Sequence, residues 1–306
     1  MASRLKEVKN VLILGSSGFI GSNIASKLSE FDLNITHCNR FKKENYNDQI
    51  IHDFAISPLE ELKRRNFQYV INCIGTIDHG PFFQGGAKTV DDNLLSVINL
   101  IKSIDLNNIK RFIHLGTSEE YAPSKLKISE NNNLHSETFY SFSKNTSINF
   151  LSLIAKEYGL PVTFLRPFLV YGPTQSKQRL IPYTILSCLN DREFNISLGE
   201  QERDFIYIDD FVQFLIEVMF SDQNISNEIF NVGSGEARSV KQAVMTIRDY
   251  IGKGKPIFGS FSSQKYEPPV LVADISKAKE FFMWSPTTPF HEGVIKTVEY
   301  LKKLLN

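Results

Sequence analysis

The stretch "NVLILGSSGFIG", residues 10–21, decides the fold, because a short continuous apolar run passes straight into the glycines Gly15, Gly18 and Gly21. A run of that length without polar alternation reads as a strand buried on both faces, the mark of a parallel sheet. The glycines stand where this strand ends and a helix opens. A tight turn there brings backbone N–H groups and the helix N-terminus to a pyrophosphate. Ser17, Phe19 and Ile20 complete the turn and join the three glycines as cofactor-binding candidates. The G-x-x-G-x-x-G spacing is one residue longer at its first gap than the general dinucleotide fingerprint.

Outward from this turn the pattern predicts a helix over residues 19–30 and a strand over 33–39, which make a βαβ unit. Ser57 as cap and Pro58 at the first helical position predict a helix over 57–66. Strands over 69–74, 111–115 and 161–166 alternate with a helix over 90–106 and the helix that carries Tyr140. The expectation is an α/β fold, a doubly wound parallel sheet of Rossmann type, with ligands outside the carboxyl ends of its strands. Beyond Pro167, Pro173 and Pro182 punctuate a loop-rich region, with strands in "RDFIYIDDF" and "NEIFNVG" around a helix over 209–220. Ser239 caps a helix to 251, and 291–305 reads as the C-terminal helix. The predicted division is a dinucleotide-binding domain over 1–167, to which 204–232 returns, and a smaller, interleaved substrate-binding lobe over 168–306.

Composition excludes several classes. Lys plus Arg and Asp plus Glu both number 34, so no net field draws the chain to nucleic acid or to a membrane surface. Cys38, Cys73 and Cys188 lie far apart without metal-ligand spacing and read as free, largely buried thiols of a cytoplasmic chain that holds no metal. No apolar run approaches the ~20 residues of a membrane span, and the opening "MASRLKEVKN" lacks a signal-peptide core.

Two further stretches carry chemistry. In "CNRFKK", residues 38–43, Asn39 stands where a carboxylate would bond a ribose 2′-hydroxyl, and Arg40, Lys42 and Lys43 follow. Cations without an acid predict NADP(H) rather than NAD(H). In "TFYSFSKN", residues 138–145, Tyr140 and Lys144 are four apart and stack on one helical face. The ammonium favours the ionised phenol, and such a tyrosine can move a proton at a carbonyl oxygen while hydride moves at its carbon. The same spacing in Tyr121 and Lys125 is interrupted by Pro123. "HLGTSEEYA", residues 114–122, adds the hydroxyls of Thr117 and Ser118 and the carboxylates of Glu119 and Glu120 at a strand end.

The glycine turn, the Thr117 segment, Tyr140-x-x-x-Lys144, "RPFLVYGP" (166–173) and "ERDFIYIDD" (202–210) occur in the order and spacing of the extended short-chain dehydrogenase/reductases. More narrowly, the chain resembles the nucleotide-sugar epimerases, 4,6-dehydratases and 4-keto reductases over nearly its whole length. The resemblance implies that Thr117 bonds the sugar O4, that Tyr140 is the acid or base, and that Lys144 binds the nicotinamide ribose. It implies adenine contacts at Asp53 and Phe54, cofactor contacts at Gly75 and Asn93, and substrate contacts at Ser118, Arg179 and Arg203, with Arg203 on the diphosphate. Relatives usually pair through the helices that include the Tyr140 helix, so a homodimer is implied.

The chain departs from the pattern in four places: no Pro precedes Tyr140, Leu169 replaces an Asn, "KYEPPV" lacks a second phosphate-binding Arg, where Lys265 is a candidate substitute, and "GTIDHGPFFQGG" (75–86) replaces "AAxxHV". The 75–86 segment and a chain short for a GDP-mannose dehydratase, with the basic β-strand end, favour NADPH-dependent reduction of a nucleotide-linked 4-keto-6-deoxy sugar. A 4-epimerase, or a 4,6-dehydratase using Ser118 and Glu119, is the alternative, and a non-catalytic NADP-sensing regulator is the alternative of another class.

Overall fold

The computed structural model describes residues 9–260 and 268–305. Lys265 lies outside the described residues. The chain runs β1 (Lys9–Leu14), α1 (Phe19–Leu28), β2 (Leu33–Asn39), β3 (Gln49–Ile51), β4 (Tyr69–Asn72), α2 (Gly86–Val90), α3 (Ser96–Ser103), β5 (Arg111–Leu115), α4 (Phe139–Tyr158) and β6 (Val162–Pro167). It continues through β7 (Leu169–Tyr171), α5 (Leu180–Leu189), β8 (Glu193–Ile196), β9 (Glu202–Arg203), β10 (Phe205–Tyr207), α6 (Ile208–Phe220), β11 (Glu228–Val232) and β12 (Arg238–Ser239). α7 (Val240–Ile251), β13 (Lys255–Phe258), β14 (Val270–Leu271), α8 (Ser276–Phe282) and α9 (Phe290–Lys303) close it.

Seven strands form one sheet in the order β11-β6-β5-β4-β1-β2-β3. From β3 to β6 every neighbouring pair is parallel. The chain leaves β1 toward β2 and β3, then crosses back to β4, β5 and β6, so the order reverses between β1 and β4. That reversal opens a crevice at the carboxyl ends of the two strands. Successive side chains face opposite sides of a strand. Leu12, Leu14, Val70, Phe112 and Phe164 therefore pack with Val97 and Leu100 of α3 and Ile148 and Leu151 of α4. On the other face Tyr69 meets Phe220 at the end of α6, their ring centroids 5.5 Å apart.

Two compact units result: Met1–Glu120 with Leu134–Leu165 and Leu215–Ile229, and Tyr121–Asn133 with Arg166–Phe214 and Phe230–Asn306. Several expected elements differ from those observed. Leu215–Ile229 lies in the first unit, whereas β10 pairs with β7 inside the second unit, Phe205 opposite Leu169 and Tyr207 opposite Tyr171. The reason is aromatic: Phe205 packs on Tyr171 and on Phe290, with centroids 6.4 and 5.3 Å away. No long helix forms over 57–66. Leu59 is extended, its N–H donates to Ser103 Oγ, and one 3₁₀ turn, Glu60–Arg64, remains. Pro182 does not keep its region irregular, because it lies in the first turn of α5, where its missing N–H has no helical partner to lose. The helix expected over 90–106 begins earlier, at Gly86, and contains a π turn at Asp91–Leu95.

In the second unit the buried Asp204 carboxylate accepts from Ser234 N–H and Oγ at 2.5 and 2.7 Å, Gly235 N–H at 2.9 Å and Ala273 N–H at 3.1 Å. Burial raises its pKa and these bonds oppose the rise. Among the described residues no helix is long and apolar enough to cross a membrane.

At the glycine turn, Gly21 faces the Gly15 carbonyl so closely that any Cβ would collide with it, and would also come within 2.9 Å of Ser16 Cα. Backbone cannot swing aside as a flexible side chain can. Gly21→Ala should therefore lower unfolding free energy by about 1–3 kcal/mol, read as a lower urea midpoint with an unchanged slope.

Candidate active site

The turn after β1 is held from below. Gly15 N–H donates to Cys38 O at 2.8 Å, and Gly18 N–H to Gly15 O at 3.0 Å. Gly18 is the N-cap of α1 and makes no side-chain cap bond, so Phe19 and Ile20 present first-turn amides that suit an anion. Asn39 spans the base of the turn, accepting from Ser17 N–H at 2.7 Å and donating to Ser16 Oγ at 2.9 Å. Tyr46, which sequence reasoning missed, lies flat on His37 at 3.7 Å and donates to Ser16 O at 2.7 Å. Its signal was absent because it belongs to the β2–β3 connection, remote in sequence from the turn.

The turn abuts the end of β4: a Cβ on Gly15 would lie 3.0 Å from the Cys73 carbonyl and 3.2 Å from Ile74 N. One residue on, Gly75 faces Lys144, whose Nζ would stand 2.8 Å from a Cβ there. Lys144 is buried and donates to Leu115 O at 3.0 Å and Ile74 O at 3.3 Å, the carbonyls beyond β4 and at the end of β5. The glycine turn and the Tyr140 helix thus meet across the ends of adjacent strands, where the chain reversal opened the crevice.

α4 starts where it does because Thr138 and Ser141 form a capping box, Thr138 Oγ1 accepting from Ser141 N–H at 3.1 Å. Tyr140 is 5% exposed, and its ring stands nearly perpendicular to that of His79, the centroids 5.5 Å apart. His79 Nε2 hydrogen-bonds Glu119 Oε2 at 2.7 Å. His79 is a second residue that the sequence reading missed; it comes from the 75–86 segment that departs from the family pattern.

At the end of β5, Thr117 N–H donates to the buried Glu120 carboxylate at 2.8 Å, and Glu119 N–H to Thr117 Oγ1 at 3.3 Å. Ser118 is buried beside them. Burial lowers the Lys144 pKa to about 8, while Glu120 and Cys73 pull it upward. Burial pushes the Cys73 thiol up to about 12, with Lys144 opposing. His114 falls well below its usual value, by burial and then by Lys144. It therefore stays neutral, its Nδ1 bonded to Asn72 Nδ2 at 3.1 Å.

The π turn carries two buried polar residues, Asp92 and Asn93. Asn93 Oδ1 accepts from Thr76 N–H at 2.9 Å and its Nδ2 donates to Ser143 Oγ at 3.0 Å, so it ties the β4 exit to α4. Asp92 is fully buried and grips Arg40, Lys88 and Thr76. Arg40 also reaches Asp53, Nε to Oδ1 3.3 Å. The Phe54 ring lies in the core, and its carbonyl accepts from Asn99. Arg203 and Arg179 belong to the second unit. Arg203 is buried, donating to Glu202 O at 2.8 Å and Pro268 O at 2.9 Å, whereas Arg179 is the exposed N-cap residue of α5. Tyr121 is structural, its hydroxyl donating to Asn231 Oδ1 at 2.7 Å and accepting from Arg166 at 2.8 Å. Cys38, Cys73 and Cys188 are free thiols.

A doubly wound sheet with a glycine-rich turn at its reversal and a Tyr/Lys pair across the neighbouring strand ends defines an NAD(P)-dependent enzyme. The chain belongs to the NAD dependent epimerase/dehydratase family, whose model matches residues 11–233. It is 27% identical to the uncharacterized UDP-glucose epimerase of Bacillus subtilis (strain 168), over 96% of this chain and 98% of that protein. It is likewise 27% identical to a dTDP-4-dehydro-6-deoxyglucose reductase of Escherichia coli, over 95% and 97%. The crystal structure of UDP-glucuronic acid 4-epimerase from Bacillus cereus, in complex with UDP-glucuronic acid and NAD, superposes with a TM-score of 0.87 at 25% identity, covering 97% of this chain and all of that one.

The depressed Lys144 pKa has a definite sign. Above about pH 8 the folded amine is neutral, while the unfolded amine keeps its proton to about 10.5, so the unfolded state binds more protons and stability rises with pH in that window. The cost of burying the charge is in full force below pH 8. Relative to Lys144→Met, the wild-type protein should gain about 2 kcal/mol of unfolding free energy between pH 8 and 9.5, measured by urea denaturation; a pH-independent difference would refute the burial effect.

Proposed function

We propose that the chain exchanges hydride between a bound dinucleotide and C4 of a nucleotide-linked hexose, with Tyr140 carrying the proton of the C4 oxygen. The observation that carries this reading is Lys144, a buried ammonium fixed to the carbonyls of Ile74 and Leu115, one helical turn from Tyr140 and facing Gly75. The uncapped amides of α1 and the close-packed glycine turn fit a pyrophosphate. The nicotinamide, when bound, supplies or accepts the hydride. Tyr140 takes the proton as the C4 hydroxyl becomes a carbonyl and returns it in the reverse direction. The Thr117 hydroxyl orients that oxygen, its backbone held by Glu120. Ser118, Arg179 and Arg203 are proposed substrate contacts.

Recycling of the cofactor, as in 4-epimerisation with NAD(H), is favoured by Arg40, whose guanidinium is engaged by two carboxylates. Net reduction of a 4-keto-6-deoxy sugar with NADPH is the second reading. It is supported by Asn39 in place of an acid, by the exposed Lys42 and Lys43, and by the likeness to the Escherichia coli reductase. The joint presence of Thr117, Tyr140 and Lys144 argues against a non-catalytic regulator. Two copies pairing through α4 is the proposed assembly, and light scattering reads it directly.

Incubation with UDP-, GDP-, CDP- and dTDP-sugars and their 4-keto derivatives, followed by mass spectrometry and by absorbance of the reduced cofactor, separates the readings. Recycling changes the sugar with no net cofactor consumption, and reduction consumes NADPH in proportion to ketosugar. Tyr140→Phe should lower turnover by about 10²–10⁴-fold while leaving dinucleotide affinity intact; unchanged turnover defeats the proton-carrier role. Glu119→Gln should spare epimerisation or reduction, and a complete loss of product would instead point to dehydration.

A further inference from the structure

We propose that Asp92 selects the dinucleotide: by occupying the Arg40 guanidinium, it withholds from a ribose 2′-phosphate the one cation placed directly after Asn39. The inference rests on the reading that the end of β2 meets the adenosine ribose, and it adds a determinant from a helix on the far side of β1.

Arg40 Nη2 stands 2.5 Å from Asp92 Oδ1 and Nη1 3.3 Å from Oδ2, a two-pronged contact, while Nε lies 3.3 Å from Asp53. Asp53 is 29% exposed at its side chain, but Asp92 is 0% exposed. A buried carboxylate cannot follow its partner into solvent, and breaking such a pair leaves an under-compensated charge. Asp92 is held in place by Thr76 Oγ1 at 2.5 Å and Lys88 Nζ at 2.8 and 2.9 Å. Burial alone would raise its pKa, but the bonds from Lys88, Thr76 and Arg40 outweigh that and hold it below the usual carboxylate value. It is therefore an ionised competitor for Arg40 at neutral pH. Asp92 lies in the π turn Asp91–Leu95, and such turns are frequent at functional sites.

Asp92→Asn keeps the side-chain volume and the contact with Thr76 while removing the competing charge. Binding of NAD+, NADP+, 5′-AMP and 2′-AMP to the full chain, without sugar, is measured by calorimetry for wild type, Asp92→Asn, Asp53→Asn, and Asp92→Asn combined with Arg40→Ala. Wild type should favour NAD+. Asp92→Asn should shift the NADP+/NAD+ affinity ratio toward NADP+ by about tenfold, with the same shift for 2′-AMP over 5′-AMP, and removal of Arg40 should abolish it. Asp53→Asn, at a partly exposed site that tolerates the change, should give a smaller shift and serves alone should Asp92→Asn fail to fold. A ratio unmoved in both single variants, a shift that survives Arg40→Ala, or an Arg40-dependent preference of the wild type for NADP+ overturns the inference. Failure to bind either dinucleotide defeats both this inference and the cofactor site. A shifted ratio without any sugar turnover defeats only the proposed reaction.

Discussion

A single ammonium organises the site. Lys144 is buried, and a buried charge costs several kcal/mol unless its surroundings compensate. The compensation comes from carbonyls at Ile74 and Leu115 and from the Glu120 carboxylate. Those carbonyls exist in the right place only if β4 and β5 end together and α4 crosses above them. A side chain on the residue after Ile74 would press on the Lys144 ammonium and on Asn93 Oδ1, a crowding that Gly75 avoids. Helix, strand ends and glycine are three consequences of one electrostatic requirement.

Around that ammonium the polar groups divide into holders and presenters. Asn93, Asn39 and Glu120 spend their hydrogen bonds on the protein, fixing respectively α4, the glycine turn and the Thr117 backbone. The first-turn amides of α1, Tyr140 and the Thr117 hydroxyl are what such holders position. His79 and Glu119 bond each other at 2.7 Å beside the Tyr140 ring, so the segment that departs from the family pattern still delivers a polar partner to the site.

Much of this was legible in order along the chain. The glycine turn, the strands on either side of it and the Tyr140–Lys144 pair depend on spacings of a few residues, and local geometry translates such spacings directly. Asn93 and Gly75 were singled out through the family resemblance; in the fold Asn93 bonds Thr76 and Ser143, and Gly75 faces Lys144. The expected helix over 57–66 failed because Ser103, more than forty residues away, takes the Leu59 amide. The strand at 205–207 was legible as a strand, but its partner was not, since its aromatic faces suit either sheet until Phe290 and Tyr171 are in place.

Arg40 illustrates the boundary most clearly. As sequence it is a cation after a strand that lacks an acid; in the fold it is bound by Asp92, 52 positions away. By itself the sequence determined the parallel sheet, the anion-ready turn and the helix that carries Tyr140 and Lys144 one turn apart, because each is written in apolar runs or helical periods a few residues long. Only the tertiary structure decided which polar groups meet, the Arg40–Asp92, His79–Glu119 and Lys144–Glu120 relations. Electrostatic partners are chosen by which strand ends lie side by side, and that adjacency is settled by the crossover of the whole sheet rather than by any local stretch.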